Sequence, residues 1–260
     1  EPPPLFESSA ASDVYKRQRL GNALLPPNVY YAESGGDDGR TLRSKYAVIS
    51  LADLQRGTSR RRFESYLWGR FAQPTLVVGS KDAAADRALH ACLEQAALTL
   101  LERALPALPA SGSVSGLWDG ALALSYATEL RTERPGRSRE LIDSDPAFYE
   151  SATRAVAQSL AFPLSVYDAG TAPRYRTEPG SLRRRLAGLA WLARRVLGKL
   201  LSLARLVNAQ VTFAGGLDYI AWKLERHSGQ QVVIPDRVRR RPLVFMWGFF
   251  WQLYRQGVFK

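Results

Sequence analysis

Between Leu182 and Ala209, apolar residues recur at 182, 186, 189, 193, 196, 200, 204 and 207, a spacing that a long α-helix gathers into one stripe. At about 100° per residue, Arg183, Arg184, Arg194, Arg195, Lys199 and Arg205 fall on the opposite side. Such a stripe has to be covered. Three covers are physically open: a protein core, a membrane interface, or an arrangement in which the basic side contacts nucleic acid.

Charge narrows the choice. Residues 174–260 carry 17 Lys/Arg against 4 Asp/Glu, a net of +13, whereas residues 1–173 carry 19 against 20, a net of −1. The whole excess is local, and a local basic field calls for an anionic partner. Further on, Arg239-Arg240-Arg241-Pro242 precedes Leu243-Val-Phe-Met-Trp-Gly-Phe-Phe-Trp251. This run is too short to span a bilayer, which takes about 20 residues of helix, but it can dip into one leaflet. Trp247 and Trp251 would then lie at headgroup level, with Arg194, Arg195, Lys199 and Arg240 on lipid phosphates. The bland alternative is a core element preceded by a charged turn.

The remaining composition is that of a folded chain, with 46% hydrophobic residues. One cysteine, Cys92, excludes an internal disulfide framework and a Cys-based zinc site. His90 and His227 are too few and too isolated for a metal centre, and structural or solvated roles suit them. Residues 1–18 show no hydrophobic period and no signal-peptide core, and are read as a non-native leader. Residues 19–173 form a mixed α/β (α+β) region and 174–260 the basic, aromatic-rich region.

Within 19–173, Val29-Tyr30-Tyr31 and Lys45-Tyr-Ala-Val-Ile-Ser50 read as strands. Ser50 and Asp53 have capping-box-like spacing, so a helix should follow. A long helix is expected from about Asp82 to Leu105, with Leu89, Leu93, Ala96, Ala97, Leu100 and Leu101 facing the core. Ala121 to Arg131 reads as a strand that places Ser125, Glu129 and Arg131 on one face. A carboxylate and a guanidinium beside a hydroxyl can serve a site or merely form a salt bridge. Asp143-Ser-Asp145 imitates a metal-binding pair, yet Pro146 makes Asp145 a helix cap with proline at the first helical position.

Taken in order, Val29-Tyr30-Tyr31, Lys45-Tyr46-Ala47-Val48-Ile49-Ser50, Tyr66-Leu67-Trp68-Gly69-Arg70 and Leu124-Ser125-Tyr126 with Glu129 and Arg131 resemble the mitochondrial-type phosphatidate cytidylyltransferases, also described as translocator assembly and maintenance proteins. The resemblance covers about residues 20–160, with a looser match at Val211-Thr-Phe-Ala-Gly-Gly216. It implies a partial nucleotidyltransferase-like domain, a small helical domain and a membrane-binding C-terminal region. The implied reaction joins CTP to phosphatidic acid, giving CDP-diacylglycerol and pyrophosphate with Mg²⁺. Its chemistry needs carboxylates to hold metal against the triphosphate and cations to cradle the leaving pyrophosphate.

By that resemblance Glu129 is the candidate catalytic and metal-binding carboxylate, standing where the family has aspartate. Lys45 is a candidate catalytic cation, and Arg70, Ser125 and Arg131 are candidate substrate contacts. The implied place of action is the cytoplasmic face of a bacterial inner membrane, or the matrix face of the mitochondrial inner membrane. The family's Gly-Ser loop and Asp pair lie ahead of the Val-Tyr-Tyr motif and have no counterpart here, so the chain alone is expected to turn over little or no CTP. Two other readings stay open: a nucleic-acid-binding protein using the basic region, and a noncatalytic membrane-associated scaffold. The resemblance favours a lipid surface and no nucleic acid.

Overall fold

The computed structural model describes residues 29–35, 41–130, 136–170, 172–212, 232–240 and 242–255. They form a mixed helix and sheet structure of the α+β class, more helical than the sequence suggests. The chain divides into two compact units: Ser50–Leu200, and a second that joins Glu1–Ile49 to Leu201–Lys260.

In the second unit, β1 (Val29–Gly35) and β2 (Thr41–Ala47) pair antiparallel, with Val29 opposite Ala47 and Gly35 opposite Thr41. The expected strands at Val29 and Lys45 are thus one hairpin. The strand expected up to Ser50 ends at Ala47, because Ser50 turns to cap the next helix.

The Ser50–Leu200 unit begins with α1 (Leu51–Thr58), where the Ser50 hydroxyl accepts the Asp53 N–H at 3.1 Å. Next come α2 (Tyr66–Phe71) and α3 (Ala83–Ala104), the latter capped by Asp82, whose carboxylate accepts the Ala85 N–H at 2.8 Å. A single 3-10 turn, Leu105–Ala107, contains Pro106 and ends the run. After β3 (Ser111–Ser113), Ser113 caps α4 (Val114–Tyr126). Then follow α5 (Arg137–Ser144) and α6 (Pro146–Ala157). Asp145 caps α6 by accepting the Phe148 N–H at 3.1 Å, which assigns the apparent Asp-x-Asp motif to helix capping, an interaction worth about 1 kcal/mol.

Strands β4 (Leu164–Ala169) and β5 (Ala172–Thr177) complete a three-stranded antiparallel sheet in the order β3-β5-β4. Tyr175 sits at its centre, opposite both Gly112 and Val166, and its hydroxyl donates to the Pro109 carbonyl at 2.7 Å. The core gathers Trp68, Leu100, Leu101, Leu105, Leu117, Trp118, Leu122, Ile142, Tyr149 and Tyr175. Trp118 packs on Tyr149, ring centres 5.0 Å apart, and its indole N–H reaches the Thr153 hydroxyl at 2.8 Å. The indole is thereby buried with its donor satisfied.

One expected strand is a helix. Residues 121–126 belong to α4, whose buried residues Val114, Leu117, Trp118, Ala121, Leu122 and Ser125 follow a helical period. The apparent alternation after Ala121 is a short sample of that longer period. Residues 127–129 then close a turn in which the Glu129 N–H reaches the Tyr126 carbonyl at 3.0 Å, and Arg131 lies outside the described residues.

From Ser181 the chain runs as one helix, α7 (Ser181–Thr212). Beyond it, α8 (Asp236–Arg240) and α9 (Pro242–Arg255) pack on each other in the second unit. The expectations at Gly215, Gly216, Asp218 and His227 lie outside the described residues.

Candidate functional site

Although the strand does not exist, its residues still meet the motif expected to accompany them. Arg70, in the last turn of α2, donates through Nη2 to Glu129 Oε2 at 2.6 Å. The Glu129 side chain is 8% exposed and that of Arg70 39%, so the pair sits at the rim of the unit. The Arg70 guanidinium also lies 4.3 Å from the centre of the Tyr66 ring, one helical turn back. Glu129 is thus neutralised by a cation pinned from two sides.

Ser125 serves a different purpose from the one expected. It is buried on the inner face of α4, against Gly69 of α2, where an added Cβ would come 2.0 Å from the Ser125 hydroxyl. Its carbonyl accepts the Thr128 hydroxyl at 2.7 Å, and Thr128 in turn shares a 2.6 Å hydrogen bond with Ser65. Ser125 therefore belongs to the frame behind the Arg70–Glu129 pair and does not face a substrate.

The carboxylate chemistry implied by the resemblance needs more than this. Glu129 spends one oxygen on Arg70, and among the described residues no group of three or more Asp, Glu, His or Cys side chains gathers to hold a metal. No metal-dependent step is assigned to these residues. Lys45 lies on β2, in the other unit, and its side chain is outside the description.

The α7 helix leaves the expected apolar stripe exposed and buries part of the side on which its cations were expected. Its buried line is Ala187, Trp191, Arg194 and Gly198, while Leu182, Leu186, Leu189, Leu192, Val196 and Leu200 are exposed. At about 100° per residue the buried line is centred roughly opposite the stripe of Leu182, Leu186, Leu189, Val196 and Leu200. Arg185 is exposed beside that stripe, and Arg195 and Lys199 are exposed on the flank between the stripe and the buried line.

Arg194, expected on lipid phosphates, is the clearest correction: it is 4% exposed. Its Nε donates to the Phe63 carbonyl at 2.9 Å, and its guanidinium lies 4.5 Å from the Phe63 ring centre and 5.1 Å from that of Trp191. Burial, then the nearby Arg103 charge, depress its pKa to about 10. Trp191 fixes the same face, meeting Trp68 edge-on at 5.9 Å and donating its indole N–H to the Arg103 carbonyl at 3.0 Å. A planar cation between aromatic rings can be buried where lysine could not.

In the second unit, Trp247 and Trp251 on α9 are exposed, and the Arg240 side chain is outside the described ones. Among the described residues no helix is long and apolar enough to cross a membrane.

Ser65, Thr128 and Gly198 had no role assigned from the sequence, and Tyr66 entered only as part of a motif. Gly198 alone carried a signal, because glycine inside a long run of helix formers usually marks a close approach.

No family model matches the chain, and no curated protein matches it either.

Proposed function

We propose that this chain acts at an anionic membrane surface as part of a phosphatidate cytidylyltransferase-type enzyme, which makes CDP-diacylglycerol and pyrophosphate from CTP and phosphatidic acid. The observation that carries the lipid part is the outward stripe of α7. Five aliphatic residues from Leu182 to Leu200 face solvent along five turns, with Arg185 beside them and Lys199 and Arg195 exposed on the adjoining flank. A helix with its own core contacts already made on one side and an apolar, cation-edged surface on the other is suited to lie in a headgroup layer. The nucleotidyl-transfer part rests on the motif order of the resemblance and on the meeting of Arg70 with Glu129, which keeps an arginine at the rim where phosphate could be received.

Co-sedimentation with phosphatidylcholine vesicles, with and without phosphatidic acid, tests the lipid part. Binding should require the anionic lipid and weaken with salt. Absence of binding overturns it, and tighter binding to single-stranded nucleic acid than to vesicles favours the nucleic-acid reading instead. The catalytic part is tested on the whole gene product as CDP-diacylglycerol formed from CTP, phosphatidic acid and Mg²⁺, and a product that forms none overturns it.

A further inference from the structure

We infer that Gly198 is a positioning residue through which lipid docking of α7 is read at the Arg70–Glu129 pair, an inference that rests on the membrane reading above. The first ground is contact. A Cβ on Gly198 would lie 2.4 Å from the Thr128 carbonyl oxygen and 3.0 Å from Thr128 Cβ, so α7 reaches this turn only because position 198 has no side chain.

The second ground is what Thr128 holds. Its hydroxyl ties the Ser125 carbonyl at 2.7 Å and Ser65 at 2.6 Å. Both Thr128 and Ser65 are buried. The Ser65 carbonyl accepts the Gly69 N–H at 2.8 Å, on the turn of α2 that ends in Arg70. Thr128 is also the neighbour of Glu129. One buried residue therefore touches α7, borders the carboxylate and braces the helix that carries its guanidinium partner.

The third ground is that this seat has little slack and one weak member. Gly69 meets Ser125 as closely as Gly198 meets Thr128, and tightly packed contacts pass displacements on without absorbing them. One turn before Gly198, Arg194 is a nearly buried cation answered by a carbonyl and two ring faces, a seat less firm than an apolar side chain of equal size would make. The lipid-facing stripe is on the other side of the helix, so docking loads α7 without occupying its seat.

Hydrogen exchange of the full chain, with and without phosphatidylcholine vesicles containing phosphatidic acid, tests this. Docking should change exchange at amides 66–70 and 127–129 by at least about threefold. Gly198→Ala should bind vesicles like the wild type but lose that response. As the added methyl could unseat α7, Thr128→Val provides a second probe. It leaves Gly198 in place and removes the link to Ser65, so the response should persist at 127–129 and vanish at 66–70. Vesicle binding with unchanged exchange at both segments overturns the coupling alone, as does a Thr128→Val response that survives at 66–70. Failure of the wild type to bind vesicles overturns the docking reading and the coupling with it.

Discussion

Arg70 and Glu129, 59 positions apart in the chain, meet at 2.6 Å where the end of α2 faces the turn after α4. The carboxylate is the more buried partner, so the two halves of the pair are unequal in what they leave behind when deleted.

Arg70→Ala should therefore destabilise more than Glu129→Ala, by about 1–3 kcal/mol against about 1. Arg70→Lys should recover part of the loss, since it restores charge but not the planar stack on Tyr66. Urea unfolding of the four members of the double-mutant cycle measures both losses and their coupling. Independent, additive losses would show that the pair contributes no stability.

Tyr149 gives a pH-dependent prediction. Burial first, then the neighbouring Tyr126 and Asp145, raise its pKa from 10.0 to about 12. A raised phenol favours the protonated folded state, so its contribution is fully present below pH 10 and is lost as pH rises towards 12. The Tyr149 hydroxyl is also buried without a hydrogen-bond partner among the described residues. Tyr149→Phe should thus leave the midpoint at neutral pH unchanged or higher, and flatten the fall in stability between pH 10 and 12. A marked loss at neutral pH would reveal a partner for that hydroxyl.

Arg194→Met should keep or raise thermal stability, because it fills the space between Phe63 and Trp191 without a desolvated charge. The lost bond to the Phe63 carbonyl limits the gain to about 1 kcal/mol. Arg194→Ala removes the stem as well and should lower stability. Calorimetric melting separates the two, and equal losses in both variants would mean that the guanidinium itself holds α7 down.

Much of the helical framework was legible because its signals are local. Ser50, Asp82 and Asp145 each precede a helix by one position and cap it, and of the core face expected on α3, Ala96, Ala97, Leu100 and Leu101 are buried, within a run from 96 to 101 that is buried all round. What misled was a short window: residues 121–131 alternate well enough to resemble a strand, while Val114, Leu117 and Trp118 upstream extend the same apolar positions as a helix. Of the site, the sequence motif brought Arg70 and Glu129 into one hypothesis, but not the Ser65–Thr128 brace, which depends on residues 63 positions apart. The seat of α7 was not legible for a related reason. Periodicity finds the apolar stripe but not its cover, and here two small residues, Ala187 and Gly198, with Trp191 and Arg194, make the tighter seat.

That division of faces yields the sharpest mutational contrast on α7. Leu189 and Val196 are 65% and 55% exposed, so replacing both with serine removes apolar surface that already meets water. Folding stability should change by no more than about 0.5 kcal/mol per site. In a headgroup layer the same side chains would be buried, where each aliphatic group contributes about 1.5–3 kcal/mol, so vesicle affinity should fall at least about tenfold. Arg195→Glu with Lys199→Glu should reduce binding to anionic vesicles and its salt dependence, again without unfolding the chain. Ala187→Leu should do the reverse, lowering the melting temperature by overpacking the seat. Vesicle sedimentation and thermal melting on the same samples separate the two faces, and serine variants that melt early while still binding lipid would place the stripe inside the fold.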